Sequence, residues 1–272
     1  MPELPEVAST AIQLNRVMEG NNLTNIIVHS GRYSRHGNPE GMDELLDLLP
    51  AKIVNVDFYG KLIVIEMMDS KGESWWCWNT LGMSGGWRFE PNKHSHVEFV
   101  LEDRSVWFTD IRNFGTLKFT KDLIATERKK SSIGPNHLHD VISDDLFDER
   151  IKKYPGMTIA KALMTQSLIG GIGNYIKAEV LYRSRISPYR RVETITKPEI
   201  SRLNESCEEV IKSSFMNGGA SIQTYYNVDG SEGEFPFFFM VYGRETCING
   251  HTVIRETTED GRTTHWVPEL QL

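Results

Sequence analysis

The chain has no stretch approaching the roughly 20 consecutive apolar residues that span a bilayer, so no transmembrane helix is expected. Its first residues, MPELPEV, have neither the cationic nor the apolar part of a secretory leader. Cysteine is scarce: Cys77, Cys207 and Cys247 are odd in number and scattered, which argues against a disulfide framework and fits free thiols in a reducing compartment. A soluble, intracellular protein is therefore expected. Positive charge is also in deficit, with 30 Lys and Arg against 37 Asp and Glu, which argues against a protein that coats nucleic acid by general phosphate neutralisation. No internal repeat is present. What the sequence does have is 272 residues that are 39% hydrophobic and 25% charged, enough for a buried core and, by length, two modest domains.

Charge is distributed unevenly. Between positions 150 and 191, Arg150, Lys152, Lys153, Lys161, Lys177, Arg183, Arg185, Arg190 and Arg191 face the single acid Glu179, a local basic patch that a solvated helical face would also produce. From residue 22 to about 120, short β-prone runs at 24–28, 52–56, 62–65 and 97–101 are separated by Gly and Asp/Asn clusters, predicting an antiparallel sandwich or barrel. One helix precedes them over residues 5–18, with Val7, Ala11, Leu14 and Met18 near helical spacing and Glu3 and Glu6 at its positive end. A polar Gly-Pro stretch over 129–141 predicts a linker. Helices are then expected at about 143–154, 158–168, 175–184 and 197–216, the last ended by Gly218-Gly219. A loop of small and polar residues covers 220–235, and Glu259-Asp260-Gly261 signals a terminal hairpin.

The candidate chemistry begins at the first residues. Methionine is generally removed before a small residue, which would leave Pro2 with a terminal secondary amine. An α-amino group titrates at about 7.7–8.0, so a useful share is unprotonated near neutrality without deep burial. Such an amine attacking a sugar C1′ yields an iminium ion that acidifies the C2′ proton, and Glu3 beside it is placed to move protons. Taken alone, Pro2 and Pro5 read first as prolines that start a helix.

Three further motifs change that balance: Leu81-Gly82-Met83-Ser84-Gly85, Asp110-Ile111-Arg112-Asn113-Phe114-Gly115, and Gly171-Ile172-Gly173-Asn174-Tyr175-Ile176-Lys177-Ala178-Glu179. With MPELPEV at residue 1, and in this order, they resemble the formamidopyrimidine-DNA glycosylase and endonuclease VIII family. The resemblance runs from Met1 to about Arg262. It implies Pro2 as nucleophile, Glu3 as acid, Glu6 as a second acid of the same helix, and Lys61 as a phosphate clamp beside the lesion. Base chemistry in a duplex requires the nucleotide to be flipped out, and Met83, Arg112 and Phe114 match the set that fills the hole. Asn174 matches a phosphate-binding asparagine at a helix start, and Arg262 a hairpin arginine that grips phosphates. Asn113 departs from the arginine often found there, which puts an auxiliary contact in doubt. Each residue also has a plainer reading: Glu6 as dipole partner, Lys61 and Arg262 as turn residues, Met83 and Phe114 as hairpin-end core, Asn174 as an N-cap.

The family's hairpin usually carries two Cys-x-x-Cys pairs that bind zinc. Here Cys247 is alone, with Gly250 where a second thiolate is expected, and Cys247, His251 and His265 supply at most three ligands where a structural zinc takes four. No metal and no cofactor are expected, and the hairpin is read as zincless, as in some endonuclease VIII-like members. The expectation is an α+β protein of two domains: an N-terminal antiparallel β-sandwich with its helix (residues 1–128), a linker (129–142), a helix-two-turns-helix domain (143–236) and the zincless hairpin (237–272), with DNA between the domains. The expected activity is bifunctional glycosylase and abasic-site lyase chemistry in base excision repair through a Schiff base and β,δ-elimination. Oxidised pyrimidines and ring-opened or hydantoin products are favoured over 8-oxoguanine, and the lesion-reading loop is sought within 220–235. The expected partner is damaged DNA, double- or single-stranded, bound by a monomer. The alternative is a non-catalytic damaged-DNA-binding protein of the same fold; a pure binder has no use for Pro2 with Glu3.

Overall fold

A computed structural model describes residues 1–220 and 227–272. They form two compact units, one of Met1–Ser131 with Gly218–Glu234 and the other of Ser132–Asn217 with Phe235–Leu272.

In the first unit the leading helix, α1 (Leu4–Met18), starts at a reciprocal cap in which Glu3 and Glu6 each accept from the other's turn, with Pro in the first turn where no amide donor is needed. Its apolar stripe, Leu4, Val7, Ala8, Ala11, Leu14 and Met18, is fully covered, and each large side chain contributes roughly 1.5–3 kcal/mol by leaving water. The strands follow as β1 (Asn22–Val28), β2 (Ala51–Tyr59), β3 (Leu62–Met68), β4 (Ser74–Thr80), β5 (Gly85–Arg88), β6 (Ser95–Leu101), β7 (Ser105–Asp110) and β8 (Thr116–Thr120). Short helices α2 (Arg32–His36) and α3 (Met42–Leu46) interrupt the β1 to β2 connection. All eight strands join one antiparallel sheet in the order β5-β7-β6-β1-β2-β3-β4-β8. That sheet folds over on itself. Phe99 of β6 and Phe119 of β8 are well separated in that order, yet their rings are 6.0 Å apart, and Trp87 of β5 donates to Asn79 of β4 at 3.0 Å. The result is the two-layered antiparallel arrangement the strand pattern predicts. Helix α1 is pinned to it at a bulge in β2, where Asn15 Oδ1 accepts the Val56 N–H at 2.7 Å.

A helix absent from the sequence reading, α4 (Leu123–Ser131), occupies polar sequence around residue 129. It carries no apolar stripe to betray it. Asp122 caps it by accepting from Ala125 N at 2.9 Å, and its one buried residue, Thr126, receives the Trp78 indole N–H at 3.3 Å.

The second unit contains α5 (Asp144–Ile151), α6 (Ile159–Met164), α7 (Asn174–Ser184), α8 (Lys197–Met216) and a hairpin of β9 (Ile254–Thr257) and β10 (Thr263–Trp266). Residues expected as linker pack here: Gly134 N donates to Gln166 O at 2.8 Å, Gly170 N donates to Pro135 O at 2.8 Å, and the buried His137 bonds Asn204 at 2.9 Å. Helix α6 stops four residues before its expected end. Thr165 turns extended, and the Gln166 carboxamide then knits both following turns, donating to Met164 O and Ile172 O and accepting from Gly171 N at 2.9 Å. Residues 218–220 and 227–234, expected at the end of the helical domain, group instead with the first unit. Arg88 donates to Asn227 O, and Phe89 N to Val228 O at 3.3 Å. Among the described residues no helix is long and apolar enough to cross a membrane.

Candidate active site and phosphate-binding corner

In the first unit, α1 and its cap bury two carboxylates at the chain terminus. Glu3 is 2% and Glu6 1% exposed. Glu6 is saturated by backbone: Oε2 accepts Glu3 N–H at 2.7 Å and Oε1 accepts Ala220 N–H at 2.6 Å. Gly219 packs so closely on this carboxylate that a Cβ there would sit 2.9 Å from it. Glu6 therefore joins the helix start to the chain at Gly219 and Ala220.

The terminal amine is largely buried, and it is held below its ordinary pKa chiefly by desolvation; Glu3 and Glu6 oppose the shift, while Lys61 and Arg112 reinforce it. Four sequence-predicted residues, Glu3, Glu6, Lys61 and Arg112, are thus brought within electrostatic reach of the chain end. Lys61 gets there because β2 and β3 are joined by a two-residue turn, Gly60-Lys61, with Gly60 at φ 52°. The amine in question belongs to Met1 and stands in for that of Pro2, itself buried, in a processed chain.

Met83, Arg112 and Phe114 lie on two neighbouring loops. A Cβ on Gly82, at φ 61°, would fall 2.7 Å from the backbone of Phe114 and Gly115, so only glycine permits this approach. Met83 is half-buried, Phe114 is 54% exposed, and the Arg112 guanidinium stands 5.0 Å over the Phe114 ring. Asn113 sits at φ 57° and its Oδ1 accepts from Arg32 N at 3.0 Å.

The residue that ties the two loops together was not singled out from the sequence. Asp110, 1% exposed, accepts Ser84 Oγ at 2.6 Å and Arg112 N at 3.1 Å on one oxygen, and Gly115 N at 2.6 Å on the other. Only its place in the same six-residue motif as Arg112 and Phe114 pointed to it. Replacing one oxygen by an amide sets donor against donor. Asp110→Asn is expected to cost about 1–3 kcal/mol in a urea melt, and to weaken binding to abasic DNA with little change in the single-turnover rate at saturation.

In the second unit, Asn174 opens α7 and its Nδ2 donates to Thr263 O at 2.8 Å, so the side chain expected to hold phosphate is engaged with the hairpin. Arg262 is exposed at the hairpin turn. Glu179, the last residue of the third motif, is buried and accepts from the backbone N–H of Met240, Val241 and Tyr242 at 2.9, 3.0 and 2.8 Å; burial pushes its pKa up against these donors. Cys247 is packed in an apolar cluster with Ala178, Tyr182, Val241, Val253 and Val267. His251 bonds Glu269, and the His265 ring lies 4.8 Å from that of Tyr242, its pKa lowered to about 4 chiefly by burial. These three donors do not fit a zinc site, and among the described residues no group of three or more His, Cys, Asp or Glu side chains is arranged to hold a metal. The central part of the expected lesion-reading loop, residues 221–226, lies outside the described residues.

An antiparallel sandwich with its leading helix, and a separate helical unit bearing a hairpin, are the parts of a DNA-repair glycosylase. The chain belongs to the formamidopyrimidine-DNA glycosylase family: residues 1–117 match its N-terminal domain and residues 133–226 its H2TH domain. The formamidopyrimidine-DNA glycosylase of Bacillus cereus strain ATCC 14579 is 30% identical over 281 residues, covering 100% of this chain and 99% of the relative. The crystal structure of the MutM (Fpg) protein from Thermus thermophilus superposes with a TM-score of 0.86 at 30% identity, covering 99% of this chain and 98% of the other. The wild-type Lactococcus lactis Fpg in complex with DNA containing an oxidised pyrimidine gives 0.84 at 26% identity, covering 99% of each.

Proposed function

We propose that this protein excises oxidised bases and then cleaves the DNA backbone, using the Pro2 amine as a covalent catalyst. The observation that carries the reading is the burial of Pro2 beside the covered carboxylate of Glu3 at the chain end, in surroundings that hold the adjacent Met1 amine below its ordinary pKa. The free-base lone pair attacks C1′ of the flipped nucleotide, the C1′–N bond to the base breaks with its electrons leaving on the base, and the proton that the attacking amine sheds neutralises the departing base. Glu3 protonates the opening sugar. The iminium so formed draws electrons from C2′, a base takes that proton, and the 3′ phosphate leaves (β). A second elimination expels the 5′ phosphate (δ), and water releases the amine. The positive charge of Lys61 and Arg112 near the amine favours its neutral form and suits both residues to nearby phosphates. Met83, Arg112 and Phe114 fill the space left by the flipped nucleotide, and Arg262 with the backbone amides of the helix start at Asn174 holds its phosphates. No cofactor enters these steps.

Oxidised pyrimidines and ring-opened or hydantoin bases are the favoured substrates, and the relative crystallised with an oxidised pyrimidine supports this. The test is borohydride trapping on otherwise identical duplexes carrying an oxidised pyrimidine, a hydantoin or 8-oxoguanine. A covalent complex forming fastest on the first two is expected. Tight binding to all three with no trapped species would replace the reading with that of a non-catalytic binder.

A further inference from the structure

Within the second unit a full ion pair is buried where the hairpin turn meets α7. Lys177 Nζ lies 2.5 Å from Asp260 Oδ2, with side-chain exposures of 0% and 3%. Such a pair is poor economy for stability alone, since desolvating two charges offsets most of their attraction and apolar residues of similar size often do as well. Lys177 also sits near the amino end of its helix, where the macrodipole disfavours a cation. Buried pairs are best suited to imposing one register on the elements they join.

The two oxygens of Asp260 divide the work. Oδ1 organises the turn, accepting Thr258 Oγ1 at 2.5 Å and facing Arg262 N at 3.4 Å, while Oδ2 reaches α7 through Lys177. Three further bonds fasten the same end of the hairpin. Asn174 Nδ2 holds Thr263 O at 2.8 Å, and Glu259 accepts from Thr158 N at 3.2 Å and pairs with Arg191 at 3.2 Å. Arg262 lies between Asp260 and Thr263, and both of these are tied to the first turn of α7. Its own side chain is left outside.

We propose that the Lys177–Asp260 pair is the positioning device that sets Arg262 beside the amino end of α7, so that guanidinium and helix terminus address one phosphate together. This rests on the phosphate-gripping function proposed above for Arg262. Lys177 and Asp260 touch no substrate; they act through Arg262.

The experiment is a double-mutant cycle of Lys177→Met and Arg262→Ala, read as affinity for a duplex carrying a tetrahydrofuran abasic analogue over a series of salt concentrations. Lys177→Met leaves the Asp260–Thr258 bond of the turn in place and removes the tie to α7. Each single variant is expected to lose affinity by about 10-fold, and to make the slope of log K against log salt shallower by about one, the signature of one lost phosphate contact. With Arg262→Ala already present, Lys177→Met is expected to cost less than about 2-fold, because coupled residues are not additive. Lys177→Arg is expected to restore most of the affinity and the slope. Should Lys177→Met fail to fold, Asp260→Asn keeps the side-chain shape, drops the charge and enters the same cycle with the same expected non-additivity. An unchanged slope in the lysine variant, or an equal loss with and without Arg262, overturns the positioning role while leaving Arg262 intact. If Arg262→Ala alone has no effect, the phosphate assignment itself falls, and this inference with it.

Discussion

Protein whose terminal amine is acetylated, or whose Met1 is retained, is expected to form borohydride-trapped complex at least about 1,000-fold more slowly than processed protein, while its affinity for tetrahydrofuran DNA stays within a few-fold. Removing a nucleophile eliminates the covalent route rather than slowing it, so the loss belongs with the largest seen on deleting a catalytic group. The competent form is the free base. Trapping by processed protein should therefore rise with pH and level off at a pH below that of an exposed amine, because burial holds the Met1 amine down and Pro2, buried beside it, is expected to be held down in the same way. Lys61→Met removes a positive charge that favours the neutral amine, so it should move that rising limb towards higher pH. Full trapping by a mass-verified acetylated sample would remove the terminal amine from the mechanism.

Glu3→Gln is the second large effect. In the proposed mechanism Glu3 has two functions that the substitution separates: its side chain caps α1, which a glutamine oxygen still does, and it supplies a proton to the opening sugar, which a glutamine does not. Excision measured in a single turnover should fall by about 100- to 10,000-fold, the range for losing a general acid, with the thermal midpoint little changed. Glu6→Gln makes the instructive contrast. Both Glu6 oxygens accept backbone N–H groups, so an amide there should lower the thermal midpoint, with a smaller effect on the chemical step. Equal losses of rate and stability in both variants would argue that Glu3 acts only as a cap.

How much of this was legible beforehand depends on how local the physics is. Helices α1 and α8 carry their own start signals, reciprocal carboxylate or hydroxyl caps with proline in the first turn, and both were placed within a residue of their bounds. The terminal hairpin announced itself through Asp260-Gly261, with Gly261 at φ 72°. Helix α4 had no such stripe. It exists because Thr126 is covered by Trp78, a residue 48 positions earlier. Which strands face one another across the folded sheet was equally silent, since alternation specifies which face of a strand is apolar but not which strand supplies the opposing layer.

At the site the same division holds. Pro2, Glu3, Met83, Arg112, Phe114, Asn174 and Arg262 stand out in the sequence as candidates, because an ordered set of motifs places amine, acid, apolar and cationic side chains together, and the roles proposed for them follow from that chemistry. Asp110, Lys177 and Asp260 do not, because a carboxylate or an ammonium carries no mark of its partner; the two ends of the buried pair stand 83 residues apart. Sequence alone determined the caps and the turns, which are governed by neighbours a few positions away, and it supplied the candidate reactive groups. Only the tertiary structure decided which of those groups lost water and which backbone donors they met, because burial and partner choice are set by distant segments brought together.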